Sequence, residues 1–353
     1  GTYNLTVWAN KSNEIASTSV IFSVSSGSTV NVTTCGILFS ANTNYVLLND
    51  VETSNRYCFV NLAPNISFDL NGKTVKSTHP YGIAIRTWYP FIYHTQIFNG
   101  TLIAAYGLDT WCFACKYRKL NIISNKYCII SWDKYSLYED LLLNCSQTAL
   151  GLYYWHAMAH ELMLKNITAF GGKTFVDTDV SYGSNIYIEN TKSVGFENDF
   201  GFYYSQFGNI FIRNSTLNPL KVKLERSHHV RIFLQKLLSI EVRDSTNEPL
   251  PARIEIKDNG IFGRVNEMES RIQFLSNPTS MKFISSNESG KAKIWLTEKM
   301  ITFNPDYEFR FTPYTVKAVG RKVSSALVTN PVSYTHLRAH ETRHDLVCRL
   351  LLE

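Results

Sequence analysis

The sequence predicts an all-β protein built from a parallel β-helix solenoid followed by a small antiparallel β-sandwich. Three observations carry that prediction. One short phrase, an apolar strand, then Asn, then a polar turn, returns between about Asn65 and Lys236. No long stripe at helical spacing interrupts it. After Leu238 the phrase stops, and clear apolar/polar alternation with turn residues takes over.

The repeated phrase reads Phe68-Asp69-Leu70-Asn71, Ile97-Phe98-Asn99-Gly100, Ile122-Ile123-Ser124-Asn125, Leu142-Leu143-Asn144-Cys145, Leu164-Lys165-Asn166-Ile167, Tyr187-Ile188-Glu189-Asn190 and Phe211-Ile212-Arg213-Asn214. Its Asn residues are spaced by 28, 26, 19, 22, 24 and 24 positions, the irregular period of solenoid turns. Asn tolerates a left-handed backbone and bonds to nearby main chain, so it suits a sharp corner between short strands. Stacked turns would place Asn71, Asn99, Asn125, Asn144, Asn166, Asn190 and Asn214 in a ladder. Inside, Leu70, Ile97, Leu142, Ile188 and Ile212 would each cover their counterparts on the next turn.

Taken in order, residues 1–26 hold alternating strands such as Ser19-Val20-Ile21-Phe22-Ser23, without an initial Met or an apolar leader. They resemble the last two strands of an immunoglobulin-like domain, cut at the front. Residues 30–238 form the cap and solenoid. The stretch from Thr34 to Val75, with Cys35-Gly36, Tyr45-Val46-Leu47-Leu48-Asn49-Asp50, Cys58-Phe59 and Ile66-Ser67-Phe68-Asp69-Leu70-Asn71-Gly72, resembles bacterial and archaeal surface proteins with right-handed, pectate-lyase-like β-helix repeats. That resemblance covers about half the chain. It implies a right-handed winding but fixes no activity, because the group includes lyases, hydrolases, epimerases and non-catalytic scaffolds. Residues 239–325 resemble carboxypeptidase-regulatory or transthyretin-like β-sandwich modules, which serve as spacers or adhesion units. Residues 332–353 resemble a translated sequencing adapter, and this segment is set aside as foreign to the fold. With it goes the zinc-like spacing of His336, His340 and His344.

Composition narrows the classes. The net charge of +6 is scattered, with no basic stripe of the kind nucleic-acid proteins carry. No run approaches the roughly 20 apolar residues of a membrane-spanning helix. Outside the last segment six cysteines remain, an even number that fits an oxidising compartment. Cys35 and Cys58 are the candidate disulfide. Cys112, Cys115, Cys128 and Cys145 lack the second close pair of a zinc ribbon, so disulfides or buried thiols are expected, with their pairing open. Asn-x-Ser/Thr sequons at Asn4, Asn10, Asn31, Asn65, Asn99, Asn144, Asn166, Asn214 and Asn287 agree with an extracellular or cell-surface location.

Two constellations are candidates for function. Trp132, Tyr153, Tyr154, Trp155, Tyr203 and Tyr204 lie at comparable distances after the Asn of their turns. Those facing outward would offer flat apolar faces for sugar rings. Asp177 and Asp179 share a face of an extended segment, and Asp199 lies about one turn on. Together they are the candidate acid and base of a polysaccharide lyase or inverting glycosidase, with polar turn residues or a calcium site as the competing explanations. The Asn-Thr-Asp, Gly-His-Gly and Arg-Ile-Lys motifs of pectin hydrolases are absent. His156, His160 and Glu161 do not meet the order of a metalloprotease helix. The expected function is adhesion or display with carbohydrate contact along the solenoid, needing no cofactor; a lyase or hydrolase is the alternative.

Overall fold

Along most strands buried and exposed residues alternate, so each strand buries one side and leaves the other to solvent. A flat sheet of such strands would leave its apolar side uncovered. Here the chain winds instead, and every turn stacks on the one before. The computed structural model describes residues 2–11, 14–23, 28–88, 92–153, 161–178, 185–203, 208–225, 230–243, 248–249, 251–258, 282–303, 307–310, 314–319, 323–328 and 347–352. Among these residues every regular element is a strand. The centre is a parallel β-solenoid of about eight turns, spanning 44–61, 67–87, 96–110, 116–131, 137–152, 161–178, 185–203 and 209–225.

Each turn contributes to parallel faces. The first face stacks Asn44–Leu47, Ser67–Asp69 and the opening residues of Gln96–Thr110, Lys116–Ser131, Leu137–Cys145 and Glu161–Phe170, then Asn185–Glu189 and Asn209–Arg213. A second face continues from Val51–Thr53 and Thr74–Ser77 to Lys192–Val194. The third runs through Tyr57–Asn61, Ile83–Thr87, the ends of the two long strands, Thr148–Leu152, Thr174–Thr178, Asn198–Tyr203 and Val222–Glu225.

The corner between the first two faces explains the repeated Asn, with one correction. Left-handed residues recur at Asn99, Lys119, Asp140, Asn166, Asn190 and Asn214, at intervals of 20, 21, 26, 24 and 24. The strand register aligns these six on successive turns. Asn71 is also left-handed and closes the turn before, where Gly72 adds a second positive φ. Asn125 and Asn144 do not belong to the ladder. In the fourth and fifth turns Lys119 and Asp140 take the corner, and Asn144 stands within a strand opposite Ile123 and Phe170. That shift also turns Leu142 outward, 44% exposed, while Leu141 and Leu143 fill the interior. Side chains bridge the turns: Asn166 Nδ2 donates to Asp140 Oδ1 at 2.9 Å, Asn190 Nδ2 to Asn166 Oδ1 at 3.2 Å, and Asn214 Nδ2 to Asn190 Oδ1 at 2.8 Å.

Leu70, Ile97, Ile188 and Ile212 lie in the continuous buried core, as expected. Tyr117 and Tyr138 take the corresponding places in the middle turns, stacked with centroids 4.8 Å apart. Cys35 pairs with Cys58, tying Gly36–Leu38 to its neighbour Tyr57–Asn61 at the start of the solenoid. The remaining cysteines pair as Cys112 with Cys115 and Cys128 with Cys145.

Flanking segments are antiparallel. Thr2–Lys11 and Glu14–Ser23 form a hairpin. Val230–Arg243 joins the first face and then carries Lys291–Phe303 and Val347–Leu352 along its edges. A separate four-stranded sheet contains Arg253–Asp258, Lys282–Ser285, Tyr314–Val319 and Val323–Val328. No helix among the described residues is long and apolar enough to cross a membrane.

Candidate functional site

The third face ends, turn after turn, in a small or polar buried residue: Asn61, Thr87, Thr110 and Ser131. Asn61 and Ser131 each accept an N–H of the corner that follows, and Thr87 accepts one from the next turn. Asn61 Oδ1 accepts from Ala63 N at 2.9 Å, Thr87 Oγ1 from Trp111 N at 2.9 Å and Ser131 Oγ from Asp133 N at 3.2 Å. The residue immediately after the strand end is thrown outward. On six consecutive turns that residue is Phe39, Leu62, Trp88, Trp111, Trp132 and Tyr153. Main-chain bonds hold the row in step: Trp88 N donates to Asn61 O at 3.1 Å, Trp132 N to Thr110 O at 2.8 Å and Tyr153 N to Ser131 O at 2.8 Å.

Large apolar side chains at a solvent-facing position are costly to leave uncovered. Yet Phe39 is 74% exposed, Leu62 48%, Trp88 49% and Trp111 41%. Trp132 and Tyr153 are half-buried. Neighbouring rings are tilted rather than closed face to face: Trp111 and Trp132 lie 6.2 Å apart at 38°, and Trp132 and Tyr153 5.4 Å apart at 39°. A shorter second row, Tyr93, Phe113 and Tyr135, runs around the same corner, each ring more than 40% exposed.

Beside the main row runs the outward-facing line of the third face, Arg86, Asp109, Ile130, Gly151, Asp177, Gly201 and Lys223. Between the two lies a cavity of about 360 Å³ whose lining includes Trp88, Trp111, Trp132, Arg86, Asp109 and Ile130. Arg86 packs its guanidinium 4.0 Å from the centre of the Trp88 ring and pairs with Asp109 at 3.1 Å. Burial raises the Asp109 carboxyl, and Arg86 and Arg56 oppose that rise.

At Tyr153 a second cavity of about 270 Å³ begins, lined by Tyr153, Thr174, Asp177, Gly201, Phe202, Lys223 and Glu225. Asp177 stands between Gly151 and Gly201 on the adjacent turns. A Cβ on Gly201 would lie 2.6 Å from Asp177 Oδ1, so glycine leaves the space the carboxylate occupies. Burial raises the Asp177 carboxyl above its usual range; Lys223 opposes this, Glu225 adds to it, and a hydrogen bond from Tyr153 opposes it. The Tyr153 phenol is itself pushed up by burial and by Asp177. Lys223 and Glu225 form an ion pair.

No protein-family model matches the chain. No curated protein sequence matches it either. Among solved structures it is similar to the full-length tailspike protein 2 of Escherichia coli O157:H7 bacteriophage CAB120, with 10% identity, 86% of this chain covered and a TM-score of 0.33. The chain spans 65% of that protein's length. It is also similar to the gp42 tailspike of Acinetobacter phage vb_AbaP_AS12, with 9% identity, 90% of this chain and 78% of that one covered and a TM-score of 0.33. At these identities and scores no function transfers from either.

The sequence-predicted residues divide accordingly. Trp132 and Tyr153 belong to one exposed row, which also contains Trp88 and Trp111, absent from the sequence candidates. A signal for them exists in Thr87-Trp88, Thr110-Trp111 and Ser131-Trp132, a hydroxyl residue before each Trp at intervals of 23 and 21. Asp177 lines a cavity, but Asp199 does not join it. The register sets Gly201, not Asp199, opposite Asp177. Asp199 is buried and accepts from Ser193 Oγ at 2.7 Å and Asn218 N at 2.6 Å. It braces the neighbouring turn. Tyr154, Trp155, Asp179, Tyr204 and the side chain of Tyr203 lie outside the described residues, as do His156 and His160. No cluster of three metal-ligating side chains occurs among the described residues.

Proposed function

We propose that this protein binds an extended polysaccharide lying along the solenoid axis, over the row Trp88, Trp111, Trp132 and Tyr153, and acts in adhesion or display at a cell surface. The observation that carries the reading is the row itself. Consecutive turns stack at about 4.8 Å, so a chain of sugars could meet one ring per turn. Apolar ring faces with polar edges nearby suit pyranose rings, which present C–H faces and hydroxyl rims. Because Arg86 is already paired with Asp109, the polar lining favours a neutral chain over a strongly anionic one. We take the winding as right-handed and residues 239–325 as a β-sandwich spacer, consistent with a surface-displayed track.

The test is binding of neutral oligosaccharides of increasing length, by calorimetry, to the protein and its Trp111→Ala variant. Covering about 50 Å² of ring face at about 25 cal/mol per Å² contributes about 1.3 kcal/mol, roughly tenfold in affinity. Affinity should rise with length over about four sugars, and Trp111→Ala should lower it about tenfold for the long ligands. Length-independent binding, or no effect of Trp111→Ala, would count against the track.

A further inference from the structure

We infer that the cavity at the end of the aromatic row is a glycoside-hydrolysing site in which Asp177 is the acid and Glu225 the base. The inference rests on the row being a polysaccharide track, and adds a chemical step to it. Three features single this cavity out. It continues the row directly, since Tyr153 is both a ring of the row and part of its lining. It is shaped by glycines on either side of Asp177, and a side chain at Gly201 would displace the carboxylate. It brings together a shielded carboxyl and a second carboxylate from two turns further on, with Lys223 beside it.

The two carboxyls differ in environment, which is what acid and base roles require. Asp177 is half-buried and shifted upward by burial, the direction an acid role needs. Glu225 is 44% exposed and ion-paired to Lys223. Asp177 pairs in register with Gly201, and Gly201 with Lys223, so two strand spacings, about 10 Å of backbone, separate Asp177 from the strand that carries Glu225. That leaves room for a glycosidic oxygen against Asp177 and a water against Glu225, the wider of the two geometries used by paired-carboxylate hydrolases.

The step balances without a further reactant. Asp177 gives its proton to the bridging oxygen as the bond from that oxygen to the anomeric carbon breaks. The water oxygen bonds to the anomeric carbon from the opposite side, and the water's proton passes to Glu225. Exchange with solvent restores both groups. Tyr153, which donates a hydrogen bond to Asp177, is a positioning residue for the acid.

The experiment incubates the full chain with neutral polysaccharides (β-glucan, xylan, galactomannan) and acidic ones (pectate, alginate), measuring reducing ends released and, separately, retention by the same polymers in affinity electrophoresis. The expected result is release from at least one neutral polymer. Asp177→Asn and Glu225→Gln should each lower it by about 10²- to 10⁴-fold while retention is unchanged. Glu225 lies at the surface, so Glu225→Gln tests the chemistry even if Asp177→Asn disturbs the fold. Retention without release on any polymer overturns the hydrolytic inference and leaves the track standing. Release undiminished in both variants overturns the assignment of residues. Absence of both retention and release overturns the track and the chemistry together.

Discussion

Replacing Asp133 by Asn should remove a pH dependence from the stability of the solenoid. Asp133 follows Trp132 and turns inward at the corner that carries the aromatic row, where it is 0% exposed. Tyr138 Oη donates to its Oδ2 at 2.7 Å, and Tyr117, Thr110 and the Cys112 N–H also face it. Burial outweighs those bonds and lifts the carboxyl from 3.8 to about 6. The sign follows from linkage. The unfolded chain releases this proton near pH 4 while the folded chain holds it until about pH 6, so the contribution is full below pH 4 and is lost as pH rises to 6. A shift of about 2 units corresponds to about 3 kcal/mol. Asn keeps the volume and retains hydrogen-bonding capacity but cannot ionise. Urea denaturation followed by Trp fluorescence and far-ultraviolet circular dichroism at pH 4, 5, 6 and 7 would measure the difference between the two proteins at each pH. That difference should move by about 3 kcal/mol in favour of Asp133→Asn between pH 4 and 7. A difference that stays constant across the range would refute the reasoning, whatever its absolute size.

Two further outcomes concern the ladder and the end of the chain. Asn166 has φ +54°, donates to Asp140 and accepts from Asn190, so Asn166→Ala should destabilise by about 2–3 kcal/mol. Asn166→Gly should recover about 1 kcal/mol of that loss by tolerating the left-handed backbone, and equal melting of the two variants would show that conformation contributes nothing. The sequence-based expectation sets residues 332–353 apart from the fold, whereas Val347–Leu352 pairs with the edge of Val230–Arg243. Removing them should leave the thermal midpoint unchanged within about 1 °C; a drop of several degrees would make that strand an integral part of the fold.

The solenoid was legible because its determinant is local. A left-handed Asn between a β-branched strand and a polar turn announces a corner, and Asn99, Asn166, Asn190 and Asn214 occupy corners as expected. Legibility failed where another residue took the same backbone conformation. Lys119 and Asp140 are left-handed without being Asn, so counting from Asn125 and Asn144 displaced the register by several residues and put Leu142 inside. The aromatic row was partly legible for a related reason. Trp132 and Tyr153 were found by distance from an Asn, but the row is set by the end of the third face, and the distance from corner to face varies between turns. Trp88 and Trp111 therefore escaped. Asp177 lies in a strand, as the extended reading of its segment expected, whereas Asp199 required the register of Asn198–Tyr203 against Thr174–Thr178, which no local pattern encodes.

A solenoid can change what it presents one turn at a time, because each turn touches only its neighbours. The corner that follows the third face uses that freedom. From Gly36–Leu38 through the fifth turn the position just past the strand end is large and apolar, from Phe39 to Tyr153. On the last turn the same register position is Glu225, and beside it the outward line of the third face carries Asp177, Gly201 and Lys223. Interior packing does not demand the change, since Leu150, Val176 and Phe200 stay fully buried across it. Nor does strand pairing, which continues in register from Thr148–Leu152 through Val222–Glu225. With the scaffold constant, the change from Tyr153 to Glu225 at one register position is a property of the surface. On the proposed reading, the rings hold a sugar chain and the carboxylates beyond Tyr153 act on it.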